Sequence, residues 1–132
     1  MAYPARQDCV LLQGSGHVAR NNTVFGCGTT GISLVSGDVK TLVRGETVAV
    51  GNMLRDCSRI QRTYSPGIGF SGVGMYVANN TIMHQPHTSI TGGGNDNLFE
   101  FNHIEHSCFE TIDTGAFYGE SPLVATLVVS WR

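Results

Sequence analysis

The sequence is short of charge and of the residues that helical bundles are built from. Only 14% of its 132 residues are charged and the formal net charge is −2. Its eight Lys and Arg are scattered rather than clustered, so no basic patch is available to neutralise phosphates and nucleic acid is not an expected partner. No apolar run is long enough to cross a bilayer, the most apolar being residues 123–131, so no membrane partner is expected either. The opening MAYPARQDC lacks the apolar stretch of a signal peptide. The four cysteines, Cys9, Cys27, Cys57 and Cys108, form no close CxxC pair, which removes the usual zinc spacing and favours small buried thiols over a disulfide scaffold.

What is abundant is glycine, 17 residues, together with Asn and Thr. That composition fits short strands joined by tight turns, an all-β class. Self-similarity then supplies the architecture. Asn followed two residues later by an aliphatic recurs at Asn22/Val24, Asn52/Leu54, Asn80/Ile82 and Asn102/Ile104. A second column runs through Val10, Ile32, Ile68, Ile90 and Ile112, with steps of 22, 36, 22 and 22 residues. The one long step carries two polar insertions, near 37–46 and 59–65, where loops should protrude.

A period near 22 with Gly-rich bends suits one turn of a right-handed parallel β-helix, of about four to five coils, in which equivalent residues stack about 4.8 Å apart. The coils are expected over residues 1–120, with 121–132 a divergent tail that adds or caps a strand. Val24, Leu54, Ile82 and Ile104 should line one inner wall, and Val18, Val48, Tyr76 and Leu98 another. The repeated Asn belongs at a bend, bonding backbone and its neighbours above and below and tolerating left-handed φ. Cys27 and Cys57, each five residues after its Asn, should stack as thiols on adjacent coils, a disulfide there requiring an oxidising compartment.

Residues 37–119 resemble a family of right-handed parallel β-helix repeat proteins related in fold to pectate lyases and several glycoside hydrolases. The resemblance runs through Gly37-Asp38-Val39-Lys40-Thr41-Leu42, Arg62-Thr63-Tyr64-Ser65-Pro66, Gly72-Val73-Gly74, Pro86-His87, Gly94-Asn95-Asp96, Glu100-Phe101-Asn102-His103-Ile104 and Glu110 through Tyr118. It implies a secreted or periplasmic polysaccharide-processing ancestry. After Tyr118 the family pattern is lost, so a truncated member is expected, with open strand edges that invite end-to-end self-association.

Counting outward from the column isoleucines places Ser33, Gly69, Thr91 and Asp113 on one exposed line. Hydrolysis of a glycosidic bond needs two flanking carboxylates, and the resemblance draws attention to Asp113, Asp96 and Glu110. A lyase needs a base, with Ca²⁺ or a basic side chain to neutralise the substrate carboxylate; His87, Arg62, Lys40 and Tyr64 are the residues for that. Otherwise no cofactor is called for. His87 beside Asp113 would make an acid/base pair, or it shapes the turn after Pro86. Asp96 and Asp38 follow glycines, where Asp commonly caps a turn, and structural use is favoured for both. Glu110 is inward by strand parity and is then paired or protonated, unless the strand begins after it. Arg62, Tyr64 and Tyr118 are the substrate-binding candidates, an aromatic face and a guanidinium suiting a sugar and an acidic group; a solvated loop is the other reading. His84, His103 and His106 show no third convergent ligand, so no metal is assigned. The implied activity is glycoside hydrolysis or polysaccharide lysis on a poly- or oligosaccharide. The alternative is a non-catalytic solenoid that binds glycans or a partner.

Overall fold

A computed structural model describes residues 8–111 and 114–119. The described chain is all-β and winds as a parallel β-helix. The first coil carries β1 (Val10–Gln13), β2 (Val18–Arg20) and β3 (Thr23–Phe25), and the second β4 (Ile32–Ser36), β5 (Val48–Val50) and β6 (Met53–Arg55). The third carries β7 (Ile68–Val73), β8 (Tyr76–Ala78) and β9 (Thr81–Gln85), and the fourth β10 (Ile90–Asn95), β11 (Leu98–Glu100) and β12 (His103–Ser107). Strand β13 (Phe117–Gly119) opens a fifth. Equivalent strands stack into three parallel sheets: β1-β4-β7-β10-β13, β2-β5-β8-β11 and β3-β6-β9-β12.

One inner wall is as the repeat requires. Val24, Leu54 and Ile82 are buried and Ile104 packs against them at the edge of the core. The second wall corrects the expectation by one residue. Val18 is 56% exposed and Val48, Tyr76 and Leu98 are only half-buried, while Ala19, Ala49, Val77 and Phe99 point inward. These strands are three residues long between bends, so the central residue is the one that faces the core, however apolar its neighbours are, with Ala78 of β8 buried beside Val77.

The asparagines form the predicted ladder. Asn52 donates from Nδ2 to the Ala19 carbonyl in the coil before it (3.0 Å) and to Asn80 Oδ1 in the coil after it (2.9 Å). Asn80 repeats this with Ala49 O and Asn102 Oδ1, both at 3.0 Å. The left-handed φ, however, falls one residue earlier, at Asn21, Gly51, Asn79 and Phe101, between 53° and 69°. The preceding residue turns the chain, which leaves the ladder Asn free to point inward.

The column through Val10, Ile32, Ile68 and Ile90 is in register, but its fifth member is Phe117, a step of 27 residues rather than 22. Backbone N–H groups of Ser89 and Ile90 both donate to Ala116 O (3.0 and 3.1 Å), which sets this register. Phe117 then completes an interior aromatic group with Phe99 (ring centroids 5.0 Å) and Phe70 (6.4 Å). Ile112 and Asp113 lie outside the described residues, as does the 121–132 tail with its expected capping role.

The thiol expectation is corrected at one pair. Cys9 and Cys27 form a disulfide with Cα atoms 5.6 Å apart, because the last bend of the first coil returns beside the residue that precedes β1. Cys57 remains a buried free thiol, and burial pushes its pKa up to about 11, which keeps it protonated and unreactive at neutral pH.

Candidate functional site

Three residues singled out from the sequence meet on one face of the β1-β4-β7-β10-β13 sheet. Tyr64, His87 and Tyr118, with Thr88, Thr91, Gly92 and Thr114, line a cleft of about 450 Å³. Each arrives by a different route. Tyr64 stands on the insertion between β6 and β7, His87 lies in the bend between β9 and β10, and Tyr118 is the central residue of β13. In the strand register Tyr118 pairs with Thr91 and Thr91 with Gly69, so Tyr118 holds the place on the outward line that the 22-residue count assigns to Asp113. Ser33, expected at the exposed end of that line, is 3% exposed and donates to Asp8 Oδ2.

The two tyrosines are open to solvent, Tyr64 at 79% and Tyr118 at 45% exposure, whereas His87 is 7% exposed. The Tyr64 ring leans on the imidazole, with centroids 5.0 Å apart and planes at 47°. His87 is held through Nδ1, which bonds Thr88 Oγ1 (3.2 Å), itself bonded to Thr114 Oγ1 (3.0 Å). With Nδ1 so occupied, Nε2 is the atom left to meet a ligand, as donor or acceptor according to tautomer. Thr91 Oγ1 donates to Tyr118 O (2.7 Å), tying the cleft floor to its wall. Thr88 and Thr114 were not singled out from sequence; the signal available was Thr88 beside His87, but Thr114 is reached only through the 27-residue step.

The carboxylates named as catalytic do not converge here. Glu110 receives Arg62 in bidentate fashion, Nη2 to Oε1 at 2.6 Å and Nε to Oε2 at 2.8 Å. It is exposed in the turn after β12, before the next strand begins, so the alternative to the inward reading holds and strand parity does not apply to it. Arg62 is committed to that pair, and its groove is a different one, shared with Arg59, His84 and Phe109. Asp96 sits in left-handed conformation (φ 52°) directly after β10, 4.0 Å from Arg44 Nη1. That is about 13 Å along the strand from the Gly92 floor. Asp38 accepts from Lys40 N at 2.9 Å, a local turn. His84 and His106 stack with centroids 5.3 Å apart, and His103 lies 3.5 Å from Glu105. Asp113, and with it the His87–Asp113 pair, falls outside the described residues.

The Arg62–Glu110 pair latches the 59–65 insertion to a turn 48 residues away, two residues from Tyr64. Ser58 Oγ, bonded to Ser65 O, closes the base of the same loop. Hydrogen bonds from Arg62, helped by its charge and opposed by some desolvation, hold the Glu110 carboxyl below its ordinary value. A depressed folded pKa means that the latch contributes fully above the unfolded value of about 4.3 and is lost as pH falls through the lowered one. Acidification through that range is therefore expected to loosen the loop. Hydrogen exchange at 59–65 should be faster in Glu110→Gln than in the wild type at neutral pH and alike in the two at low pH. A difference that persists unchanged across the range would disprove the latch.

No family model, curated protein or solved structure matches the chain.

Proposed function

We propose that this β-helix binds an oligosaccharide or a stretch of polysaccharide in the cleft between Tyr64 and Tyr118. The observation that carries the reading is the convergence of two exposed tyrosines over a floor of hydroxyls and one oriented imidazole. Sugars present apolar C–H faces and a rim of hydroxyls. An aromatic ring suits the first, and Thr, Tyr and His side chains, each able to donate or accept, suit the second. The resemblance to polysaccharide-active β-helix proteins points the same way. The Cys9–Cys27 disulfide supports the secreted or periplasmic setting that the resemblance implies.

Binding is favoured over cleavage because hydrolysis asks for two carboxylates flanking the bond, and among the described residues none lines the cleft. Asp113 is the remaining candidate for an acid beside His87, so turnover is assayed alongside binding.

Calorimetric titration with a panel of plant and microbial oligosaccharides tests the proposal. Tyr64→Ala and Tyr118→Ala should each weaken binding about tenfold, the loss of one stacking partner, with the circular dichroism spectrum unchanged. Equal affinity in all three proteins would move the site elsewhere; absence of binding across the panel would end the proposal. Release of reducing ends or unsaturated products that disappears in Asp113→Asn would replace it with catalysis.

A further inference from the structure

The cleft is uncharged on every described side. Two phenols, three threonines, one glycine backbone and one imidazole line it, and no Lys, Arg, Asp or Glu is among them. The cation nearest in sequence to Tyr64 is Arg62, and its guanidinium is consumed by both carboxylate oxygens of Glu110. Arg59 lines the other groove, with Arg62.

From this we infer that the cleft selects neutral saccharides and discriminates against uronic acids. The inference rests on the glycan-binding reading above and deepens it. A uronate entering the cleft gives up hydration around its carboxylate and meets no Lys or Arg among the described lining residues, which is a net cost. Among the described lining groups it meets only neutral hydroxyl donors of Thr and Tyr, and His87 Nε2 in the tautomer or charge state that carries a proton there. A neutral sugar hydroxyl has no such restriction. It donates to Nε2 when that atom is bare and accepts from it when it is protonated, so the Thr114–Thr88–His87 chain serves it in either arrangement. Selectivity of this kind is built from the mismatch with the wrong ligand as much as from fit to the right one.

The test compares cellohexaose, xylohexaose and mannohexaose with hexagalacturonate at neutral pH and physiological salt, titrated into the full chain. At least one neutral hexamer should bind about tenfold or more tighter than the uronate. Thr91→Lys, which places an ammonium on the cleft floor, should narrow that ratio by tightening uronate binding, and the gain should fade as salt is raised. Uronate binding equal to or tighter than that of the neutral hexamers overturns the selectivity while leaving glycan binding intact. A ratio unmoved by Thr91→Lys in a folded variant overturns the electrostatic basis for it. If none of the four probes binds, both this inference and the reading beneath it fall.

Discussion

Replacing Asn80 with alanine is expected to destabilise the protein by about 4 kcal/mol, because it orphans two buried donors, each of which costs roughly 1–3 kcal/mol. The Asn80 side chain is fully buried. Its Oδ1 accepts the backbone N–H of Asn52 (3.0 Å) and the Asn52 amide (2.9 Å), while its Nδ2 feeds Ala49 O and Asn102 Oδ1. Three coils therefore meet at one fully buried side chain. Asn22 supplies the control. It is the exposed first member of the same ladder and only donates, from N and Nδ2, to Asn52 Oδ1. Asn22→Ala should cost less than about 1 kcal/mol, since a solvated donor lost at the end of a stack leaves little unpaired. Denaturant unfolding measures both. Equal losses would mean that the ladder is an incidental alignment rather than the bond between coils.

Gly92→Ala is expected to cost about 3 kcal/mol, at the top of the usual range for core overpacking, and to distort the cleft floor. A Cβ at Gly92 would stand 1.8 Å from the Phe70 carbonyl oxygen and 2.8 Å from the Phe70 ring. The obstacle is backbone of the paired strand β7, which cannot rotate out of the way as a side-chain tip would. Relief requires separating β10 from β7 where Ile90 and Thr91 are in register with Ile68 and Gly69. The same position faces the aromatic group: Phe70 lies 4.6 Å from Phe99, occupying room that a side chain at residue 92 would take. The effect on function should accompany the effect on stability, since Gly92 is floor to the cleft and adjoins Thr91. Gly119→Ala, whose Cβ would find its nearest neighbour among the described residues at an ordinary 3.8 Å, should change stability by no more than about 0.5 kcal/mol. A Gly92→Ala protein that unfolds at the wild-type denaturant midpoint would show that the β7–β10 contact is looser than described.

The latch and the cleft depend on each other in a way that bears on both experiments. Tyr64 is the most exposed large apolar side chain among the described residues, so its position over His87 is set by the loop that carries it rather than by burial. Arg62–Glu110 on one side and Ser58–Ser65 at the base supply that constraint. An exposed ion pair contributes little to global stability, yet one that restrains a binding loop acts on affinity through the entropy the loop would otherwise lose. Loosening the latch is thus expected to show in loop exchange, with little change in the unfolding midpoint.

Much of the fold was legible in the sequence because a solenoid is close to one-dimensional. Equivalent residues of successive coils stack, so a spatial column appears in the chain as a repeat. That is why Asn22, Asn52, Asn80 and Asn102, the Val24-to-Ile104 wall and the Val10-to-Ile90 column could be read directly, while Tyr64, His87 and Tyr118 were selected by residue type and by the family resemblance. Tertiary structure decided the rest. It decided which residue of a three-residue strand turns inward, since that depends on the bends at either end, and so Ala19 faces the core and Val18 does not. It decided that Cys9 bonds Cys27, since the pairing follows from where a bend returns in space. It set the last step at 27 residues, through two hydrogen bonds to Ala116 O and the room for Phe117. Above all it decided which candidates meet: Tyr64 with His87 over a cleft, and Arg62 with Glu110 outside it. Those contacts join an insertion to bends and strands of later coils, and the path of an insertion has no period from which it could be counted.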